Sequence, residues 1–332
     1  MTKKYQPPFS LTNEHIDWVS RISEQIGLLK SSHSFLTPQL RRGNRIRTIQ
    51  ASLAIEQNTL SIEQVTAVIE GKPVLGLPHE IQEVRNAFAA YEKLQDFNPC
   101  VADDLLKAHG QLLYALADDA GKWRETGVAI YNSGELMHMP PPASQVPRLM
   151  DDLFAWLSQS NFHPLLTSCL FHYEFEFIHP FSDGNGRMGR LWQTLILTQW
   201  RPELAYLPVE TVIEDRQAEY YQALREADKL ADSAPFVSFM LEAIDSALSN
   251  TLGKSSGKSS GKSSGKTLEL IRSNPYISAP EIAEHLGISV RAVEKQLANL
   301  KAAGKLSRIG GAKGGHWQVM STDGNLGSGN LE

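Results

Sequence analysis

The sequence predicts a mainly α-helical protein that carries one small β-hairpin and a second, smaller domain after a linker. Three observations support this fold class. From Thr12 to about Leu248, apolar residues recur at the three-to-four spacing of helices, broken by Pro and Gly. Strand-like runs flank a Gly-containing turn near residue 133. A Gly/Lys/Ser repeat then separates the helical region from a last apolar stretch.

Composition and charge narrow the class of protein. The 332 residues, 42% hydrophobic and 21% charged, suffice to bury at least one core. A net charge of -5 argues against a chain that coats nucleic acid along its whole length. Apolar runs stay below the roughly 20 residues of a membrane helix, so we expect no membrane insertion and no secretion. Cys100 and Cys169 lack metal-ligand spacing, which fits a soluble protein of the reducing cytoplasm.

The strand-like segment predicts a small hairpin. Gly127–Tyr131 and Glu135–His138 have the composition of two short strands, and Asn132–Gly134 between them forms the turn. Pro140–Pro142 follows, so we expect the hairpin to end there.

Residues 253–266 repeat Gly-Lys-Ser-Ser and are predicted to form a flexible linker. Gly-Lys-Ser also ends the phosphate-binding loop of many nucleotide-binding proteins. That loop requires a Gly, four residues and then Gly-Lys, whereas Leu252, Ser256 and Ser260 occupy the position of the first Gly. The spacing therefore excludes a phosphate loop in this segment.

After the linker, residues 267–320 resemble a winged helix-turn-helix. Helices are predicted near 267–273, over 280–286 and over 289–303, with a wing between Lys305 and Gln318. Seven Lys/Arg against four Glu give this segment a charge of +3. DNA binding through residues 289–318, with Arg291 and Lys295 facing the groove or its phosphates, is one interpretation. A module for dimerisation or protein contact is the alternative.

The segment His179–Arg190, His-Pro-Phe-Ser-Asp-Gly-Asn-Gly-Arg-Met-Gly-Arg, concentrates residues suited to phosphate chemistry. Gly184–Gly186 tolerate left-handed backbone geometry and lead into a helix predicted to begin near Arg187. Amide N–H groups at a helix N-terminus can bind one anion, so we expect a phosphate cradle here. Arg187 and Arg190 lie on one face of that helix, where two guanidinium groups suit a triphosphate.

Other residues of this segment suit metal binding and proton transfer. Asp183 offers a hard carboxylate oxygen, the ligand that Mg²⁺ takes when it bridges phosphate oxygens. His179 is placed to accept a proton from an attacking hydroxyl, and Phe181 to anchor the loop in the core. Three further histidines lack a metal-spaced partner and are expected to have structural roles: His109, His163 and His172.

These residues match the pattern of the Fic family, His-Pro-Phe-x-Asp/Glu-Gly-Asn-Gly-Arg-x-x-Arg, at every defined position. The resemblance covers most of the stretch from Cys100 to Ala243 and implies the helical Fic fold. It implies that His179 is the general base, that Asp183 holds Mg²⁺, and that the residues after Asp183 bind ATP. The implied nucleotide-binding residues of the loop are Gly184, Asn185, Gly186, Arg187, Met188, Gly189 and Arg190.

The resemblance also assigns roles outside the loop. The hairpin resembles the Fic flap, which pairs with the backbone of a target protein by β-augmentation. Its residues Leu136, Met137 and His138 would then lie against the nucleotide. Tyr220 is the expected neighbour of the adenine. At Asp228 the family often has Asn.

The reaction implied is transfer of AMP from ATP to a Ser, Thr or Tyr hydroxyl of a target protein, with release of pyrophosphate. The kinase-like branch of the family carries Lys at the position of Gly186, so the Gly here favours adenylyl over phosphoryl transfer.

Upstream, Ser52-Leu-Ala-Ile-Glu56 resembles the Fic inhibitory motif, although Gln57 replaces its usual Gly or Asn. Glu56 could pair with Arg190 and hold ATP in an unproductive pose, which would make the protein autoinhibited.

Two alternatives remain at this stage. One is a DNA-binding regulator whose Fic domain senses nucleotide, and the other is an enzyme that removes AMP from proteins. The predicted organisation is an N-terminal helical region with the inhibitory helix (1–99), a Fic core (100–252), the linker (253–266), the winged helix (267–320) and a disordered tail (321–332). The sequence is also compatible with a homo-oligomer.

Overall fold

The computed structural model describes residues 4–31, 37–132, 135–255, 267–268, 270–286, 290–302, 306–309 and 315–319. The chain divides into two compact units, Met1–Leu252 and Gly253–Glu332. Each unit has its own hydrophobic core.

The first unit is built of helices with one inserted hairpin. Its helices, in chain order, are α1 (Asn13–Ser31), α2 (Pro38–Ile55), α3 (Ile62–Ile69), α4 (Pro78–Glu92), α5 (Ala102–Leu112), α6 (Val146–Gln159), α7 (Pro164–Ile178), α8 (Asn185–Trp200), α9 (Val209–Asp215), α10 (Gln217–Leu230) and α11 (Ala234–Ser255). Short 3-10 turns lie at Leu94–Asp96, Ala143–Gln145 and Pro202–Tyr206.

Local sequence explains where several of these helices begin. Thr37 caps α2 by accepting a hydrogen bond from the amide of Leu40, and Pro38 occupies the first turn, where its missing N–H costs nothing. Ser61 and Gln64 form a reciprocal capping box at the start of α3. These caps fix where α2 and α3 begin. Glu56 lies in the segment between these two helices.

The centre of the first unit is the pair α7 and α8, which pack against each other. Nearly every residue of α7 is buried, including Phe171 and Phe175 at 0% exposure, and Trp192 of α8 is equally buried. Helices that are apolar on all sides lie inside a fold and not on its surface. The loop that joins α7 to α8 is therefore held on a rigid support.

The hairpin consists of β1 (Ile130–Asn132) and β2 (Glu135–His138), which pair antiparallel with Ile130 opposite His138. The first strand is shorter than predicted, because the segment from Gly127 to Ala129 is outside the ladder. Continuing the register would place this segment opposite Met139–Pro141, where Pro140 and Pro141 lack N–H groups to donate.

The second unit contains α12 (Ala279–Leu286), α13 (Val290–Ala302) and the antiparallel strands β3 (Leu306–Ile309) and β4 (His316–Val319). Residues 267–268 and 270–273 are also helical. Its core includes Ile271, Ile282, Val293 and Leu297, so the predicted stripe of α13 is buried. The prediction of a mainly α fold with a hairpin and a winged C-terminal unit is confirmed.

The start of the linker differs from the sequence-based expectation, and most of the linker and the tail lie outside the described residues. Helix α11 continues to Ser255, past the linker start predicted at Gly253, because a helix adds one hydrogen bond for each residue that prolongs it. The rest of the linker (256–266) and the tail (321–332) lie outside the described residues, as do the side chains of Arg291 and Lys295. Within the described part of the chain, no helix combines the length and apolarity of a membrane span.

Candidate active site

The loop between α7 and α8 is shaped by two left-handed residues. His179 ends α7 with φ 50°, and Gly184 precedes α8 with φ 80°. Asn185 closes the loop, because its side chain both accepts from the amide of Phe181 (3.0 Å) and donates to the carbonyl of Phe181 (2.8 Å). The sequence allowed left-handed geometry over Gly184–Gly186, but within that range only Gly184 adopts it. The predicted start of the helix near Arg187 is wrong by two residues, since α8 begins at Asn185.

The left-handed turn at His179 is braced by Arg124. The guanidinium group of Arg124 donates to the carbonyls of His179 (2.7 Å), Pro141 (2.5 Å) and Thr126 (3.0 Å). Arg124 is 2% exposed, and its amide also donates to the carbonyl of Pro180. A single buried cation thus ties the loop between α7 and α8 to the chain that leads into and out of the hairpin.

His109 supports the loop from the other side. Its ring stacks on Phe181 with centroids 3.6 Å apart, and Phe181 is fully buried. The Nδ1 atom accepts from the amide of Gly121 (2.8 Å), so Nε2 carries the proton and donates to the carbonyl of Asp183 (3.0 Å). His109 therefore has a structural role in the loop, and Phe181 is the core anchor that the sequence suggested.

His179 lies in a buried environment that favours the neutral ring. Burial lowers the pKa of His179 to about 4, although the Glu56 carboxylate acts in the opposite direction. Its Nδ1 atom is buried, without a hydrogen-bond partner among the described residues, 3.8 Å from Oε2 of Glu176. At neutral pH the imidazole is therefore uncharged and able to accept a proton.

Glu176, one turn before His179 on α7, is a largely buried carboxyl group with 11% of its side chain exposed. The pKa of Glu176 is raised to about 8 by burial and by the Glu56 carboxylate, against the opposing effect of Arg190. Its Oε1 atom has no hydrogen-bond partner within the described part of the chain. Sequence reasoning missed this residue, because a Glu inside an apolar helix carries no motif.

Arg190 is held by the end of α2. Its Nη2 atom donates to Oε1 of Glu56 (2.8 Å) and to the carbonyl of Ser52 (2.9 Å), and its Nε atom donates to the hydroxyl of Ser52 (3.1 Å). The side chain of Arg190 is 1% exposed and that of Glu56 is 32% exposed. The structure thus brings Ser52, Glu56 and Arg190 together across 134 positions of sequence.

Gln57, directly after Glu56, has a left-handed backbone with φ 70°. Side chains with a Cβ atom are disfavoured in this region by about 1 to 2 kcal/mol, and Gly and Asn are the residues that tolerate it. This explains why the inhibitory motif usually has Gly or Asn here. Gln57 keeps the same backbone geometry at a cost in conformational energy.

Arg187 and Asp183 form a second polar group beside the loop. Arg187 donates to Oδ1 of Asp183 (2.8 Å) and to Oε1 of Glu83 on α4 (2.9 Å). The Asp183 side chain is 63% exposed, whereas that of Arg187 is 6% exposed. Glu83 was missed by sequence reasoning, since only the fold brings α4 next to the loop.

A cavity of about 560 Å³ lies beside the loop. The predicted site residues that line it are Glu56, His138, His179, Gly186, Arg190 and Tyr220. Tyr220 is 2% exposed, and its hydroxyl lies 3.2 Å from Nε2 of His172. A Cβ atom added at Gly186 would clash with the Glu56 carboxylate, so only Gly lets that carboxylate reach Arg190 over the start of α8.

Two residues that were predicted to contact the nucleotide, Met188 and Gly189, instead face the protein interior. Met188 is 0% exposed and belongs to the hydrophobic core, because α8 turns its side chain away from the cavity. A Cβ atom at Gly189 would lie 2.8 Å from both Glu176 and His172, so this Gly allows α7 and α8 to approach closely. The side chains of Leu136 and Met137 lie outside the described residues.

Comparisons with known proteins agree with this geometry. A model of the Fic/DOC family matches residues 99–197, and a model of an HTH domain matches residues 266–316. The crystal structure of a Fic family protein from Desulfovibrio desulfuricans G20 superposes with a TM-score of 0.73 at 47% identity, over 97% of this chain and 100% of that one. The chain belongs to the Fic family.

Relatives with a described activity are more distant. The chain is 30% identical over 216 residues to the protein adenylyltransferase Fic of Nematostella vectensis, which covers 60% of this chain and 47% of the relative. It is 31% identical over 229 residues to the protein adenylyltransferase fic-1 of Caenorhabditis elegans, over 65% of this chain and 43% of the relative. The chain spans about half the length of the curated relatives it matches.

The strained backbone at Gln57 gives a test of the inhibitory segment. We expect Gln57→Asn to raise the free energy of unfolding by about 1 kcal/mol, because Asn tolerates left-handed geometry. Chemical denaturation would measure the change. Gln111→Asn inside α5 serves as the control and should be neutral or slightly destabilising. Destabilisation by Gln57→Asn would show that the backbone is not left-handed there.

Proposed function

We propose that this chain is a protein adenylyltransferase, which moves AMP from ATP to a hydroxyl group of a target protein. The observation that carries the proposal is that His179 and Arg190 line one cavity at the start of α8. The first amide groups of a helix have no intrahelical partners and favour an anion. A neutral base, a guanidinium group and a helix N-terminus together suit transfer of a phosphorus group.

The chemical step uses few protein groups. The hydroxyl oxygen of the target forms a bond to the α-phosphorus of ATP, and the bond from that phosphorus to the bridging oxygen of pyrophosphate breaks. The hydroxyl proton passes to His179, through Nε2, since Nδ1 is buried. Arg187 and Arg190 would stabilise the charge of the departing pyrophosphate.

Asp183 fits the role of a Mg²⁺ ligand. Mg²⁺ is commonly bound by one or two carboxylates together with substrate phosphates, and it keeps several waters. The exposed Asp183 carboxylate beside the N-terminus of α8 matches that donor set. When bound, the cation would neutralise charge on the phosphates of ATP. Arg187, which shares Oδ1 of Asp183, would keep the carboxylate oriented toward the loop.

We further propose that Glu56 restrains the enzyme. A guanidinium group that is paired with a carboxylate and with Ser52 is not available to the terminal phosphate of ATP. The flap would present the target backbone, because the outer edges of a two-stranded hairpin can accept an added strand. ATP as substrate and two free cysteines are compatible with a cytoplasmic location.

Removal of the Glu56 carboxylate should activate the enzyme. We expect Glu56→Gly to raise self-adenylylation with radiolabelled ATP about tenfold or more, because a charge-assisted hydrogen bond to Arg190 is lost. Glu70→Gly is a matched control, since Glu70 also ends a helix but pairs with the exposed side chains of Arg42 and Lys72 and not with Arg190. An unchanged rate in Glu56→Gly would remove the inhibitory role. The alternative function, removal of AMP from proteins, would be supported by a different result: the unmutated enzyme would release AMP from a modified protein, and the Glu56→Gly variant would not.

His179 should be required for transfer and not for binding. In the Glu56→Gly background we expect His179→Ala to reduce the transfer rate by about 100-fold or more, with ATP affinity retained.

Because the pKa of His179 is lowered to about 4, the neutral base persists as pH falls below the ordinary histidine value. The rate should therefore hold from about pH 7 to about pH 5.5 and fall below that. An acid limb centred near about pH 6.5 would contradict a buried, neutral His179.

The C-terminal unit supports a second activity. The match to an HTH domain and the +3 charge of residues 267–320 favour DNA binding by this unit. We propose that it localises the enzyme on DNA through residues 289–318, with α13 as the helix that enters the groove.

DNA binding can be measured by fluorescence anisotropy of a labelled duplex with the full chain. We expect affinity to fall as salt rises, and each of Arg291→Gln and Lys295→Gln to reduce the slope of log affinity against log salt by about 1. Lys93→Gln, in the first unit, is the control and should leave the slope unchanged. Equal binding by all three variants, or no binding at low salt, would favour a protein-docking module.

A further inference from the structure

The flap is joined to the helical core through His138, the last residue of β2. Its Nδ1 atom lies 2.6 Å from Oδ2 of Asp228 on α10, and its Nε2 atom lies 2.8 Å from the carbonyl oxygen of Phe177 on α7. Both partners are oxygen atoms that accept hydrogen bonds, one from a backbone carbonyl and one from a carboxylate. Both ring nitrogens must therefore carry hydrogen when the two bonds are made, which is the imidazolium form.

Asp228 is itself fixed in place. Its second oxygen, Oδ1, accepts a hydrogen bond of 2.9 Å from the hydroxyl of Tyr173 on α7. The side chains are largely shielded from water, with 13% of His138 and 25% of Asp228 exposed. The His138 ring also contacts the ring of Phe177, with centroids 5.2 Å apart. A charged hydrogen bond in such surroundings is stronger than one at the surface.

These contacts join three elements at the rim of one cavity. His138, Tyr173, Phe177 and Asp228 all line the cavity that Arg190 and His179 also line. We propose that His138 and Asp228 are positioning residues that latch the flap onto α7 and α10 through a charge-assisted hydrogen bond. In the latched position β2 stays beside the nucleotide cavity and can present a target strand there. The presentation of a target strand rests on the proposed adenylyl transfer, whereas the latch between His138 and Asp228 does not.

The chemistry of Asp228 fits a latch better than a nucleotide contact. Both carboxylate oxygens are already engaged, one by the flap and one by Tyr173. A neutral amide at this position could accept from an imidazole but would not supply the charge that stabilises its protonated form. The Asp in place of the Asn that the family often has is therefore explained by the histidine opposite it.

The latch should open as pH rises. Burial lowers the pKa of His138, but the hydrogen bonds to Asp228 and to the Phe177 carbonyl outweigh it and leave that pKa above its ordinary value. The charged, latched form is therefore present below the raised pKa and is lost as pH increases through it. The described titratable or charged groups around the ring and the cavity lie on four helices or just after them. They are Asp228, Arg225, Tyr220 and Tyr221 on α10, Tyr173 and Glu176 on α7, His179 after α7, Arg190 on α8, and Glu56 after α2.

The latch can be tested on the full chain without ATP. The protein is labelled with ¹³C-histidine, and the ring signals are followed by NMR as pH is varied. The signal of His138 is the one that disappears in the His138→Gln variant. We expect the pKa of His138 to lie above the ordinary histidine value, to fall clearly in Asp228→Asn, and to change less in Tyr173→Phe. Amide hydrogen exchange at Glu135–His138, corrected for the intrinsic effect of pH, should become about tenfold faster in Asp228→Asn.

The outcomes separate the latch from the proposed reaction. An unchanged pKa of His138 in Asp228→Asn, or unchanged flap exchange, would overturn the latch whatever the activity. If the latch holds, Asp228→Asn in the Glu56→Gly background should raise KM for the protein substrate about tenfold with kcat little changed. A fall in kcat alone would assign Asp228 to the chemical step and contradict a positioning role. Absence of any transfer in Glu56→Gly would remove the proposed function and leave the latch measurements standing.

Discussion

The arrangement of the site depends on one buried cation, Arg190. A guanidinium group inside a protein must be hydrogen-bonded and paired, since an unpaired buried charge costs several kcal/mol. Here the partners come from the end of α2, through the hydroxyl and carbonyl of Ser52 and the carboxylate of Glu56. The same group is the one that a polyphosphate would use. Under the proposed function, inhibition and substrate binding are therefore competing solutions to a single electrostatic requirement.

The loop that precedes α8 must hold an unfavourable backbone in place. Left-handed geometry at His179 persists because surrounding groups determine it: Arg124 binds the carbonyls around the turn, and Asn185 bridges both backbone groups of Phe181. With His109 stacked on Phe181, the loop has polar and apolar supports on both sides. Such preorganisation keeps His179 and the N-terminus of α8 at fixed positions before any ligand binds.

The sequence allowed prediction of those parts that are local. The helical periodicity, the hairpin strands and the winged unit follow from patterns within short windows, and the motif from His179 to Arg190 places its residues on one loop and the first turns of α8. The contact between Glu56 and Arg190 was predictable only because a second motif resembles a known inhibitory segment. Nothing in a window of sequence indicates that Met188 faces the core, since motif position does not reveal which side of α8 is buried.

The residues that escaped prediction share a physical cause. Arg124, Glu83 and Glu176 act through partners that are brought close only by tertiary packing, across α4, α7 and the loop. The same holds for the pairing of His138 with Asp228, which unites the flap and α10. Single charged residues in ordinary helical patterns are usually solvated, so composition gives no reason to select these.

The central claim, that Glu56 and the terminal phosphates of ATP compete for Arg190, is tested most directly by nucleotide binding. Isothermal titration of the full chain and of its Glu56→Gly variant would compare ATP with AMP, which lacks the phosphates that Arg190 would bind. The account predicts that the variant gains about tenfold in affinity for ATP and much less for AMP. Equal gains for both nucleotides, or none for ATP, would contradict competition for Arg190.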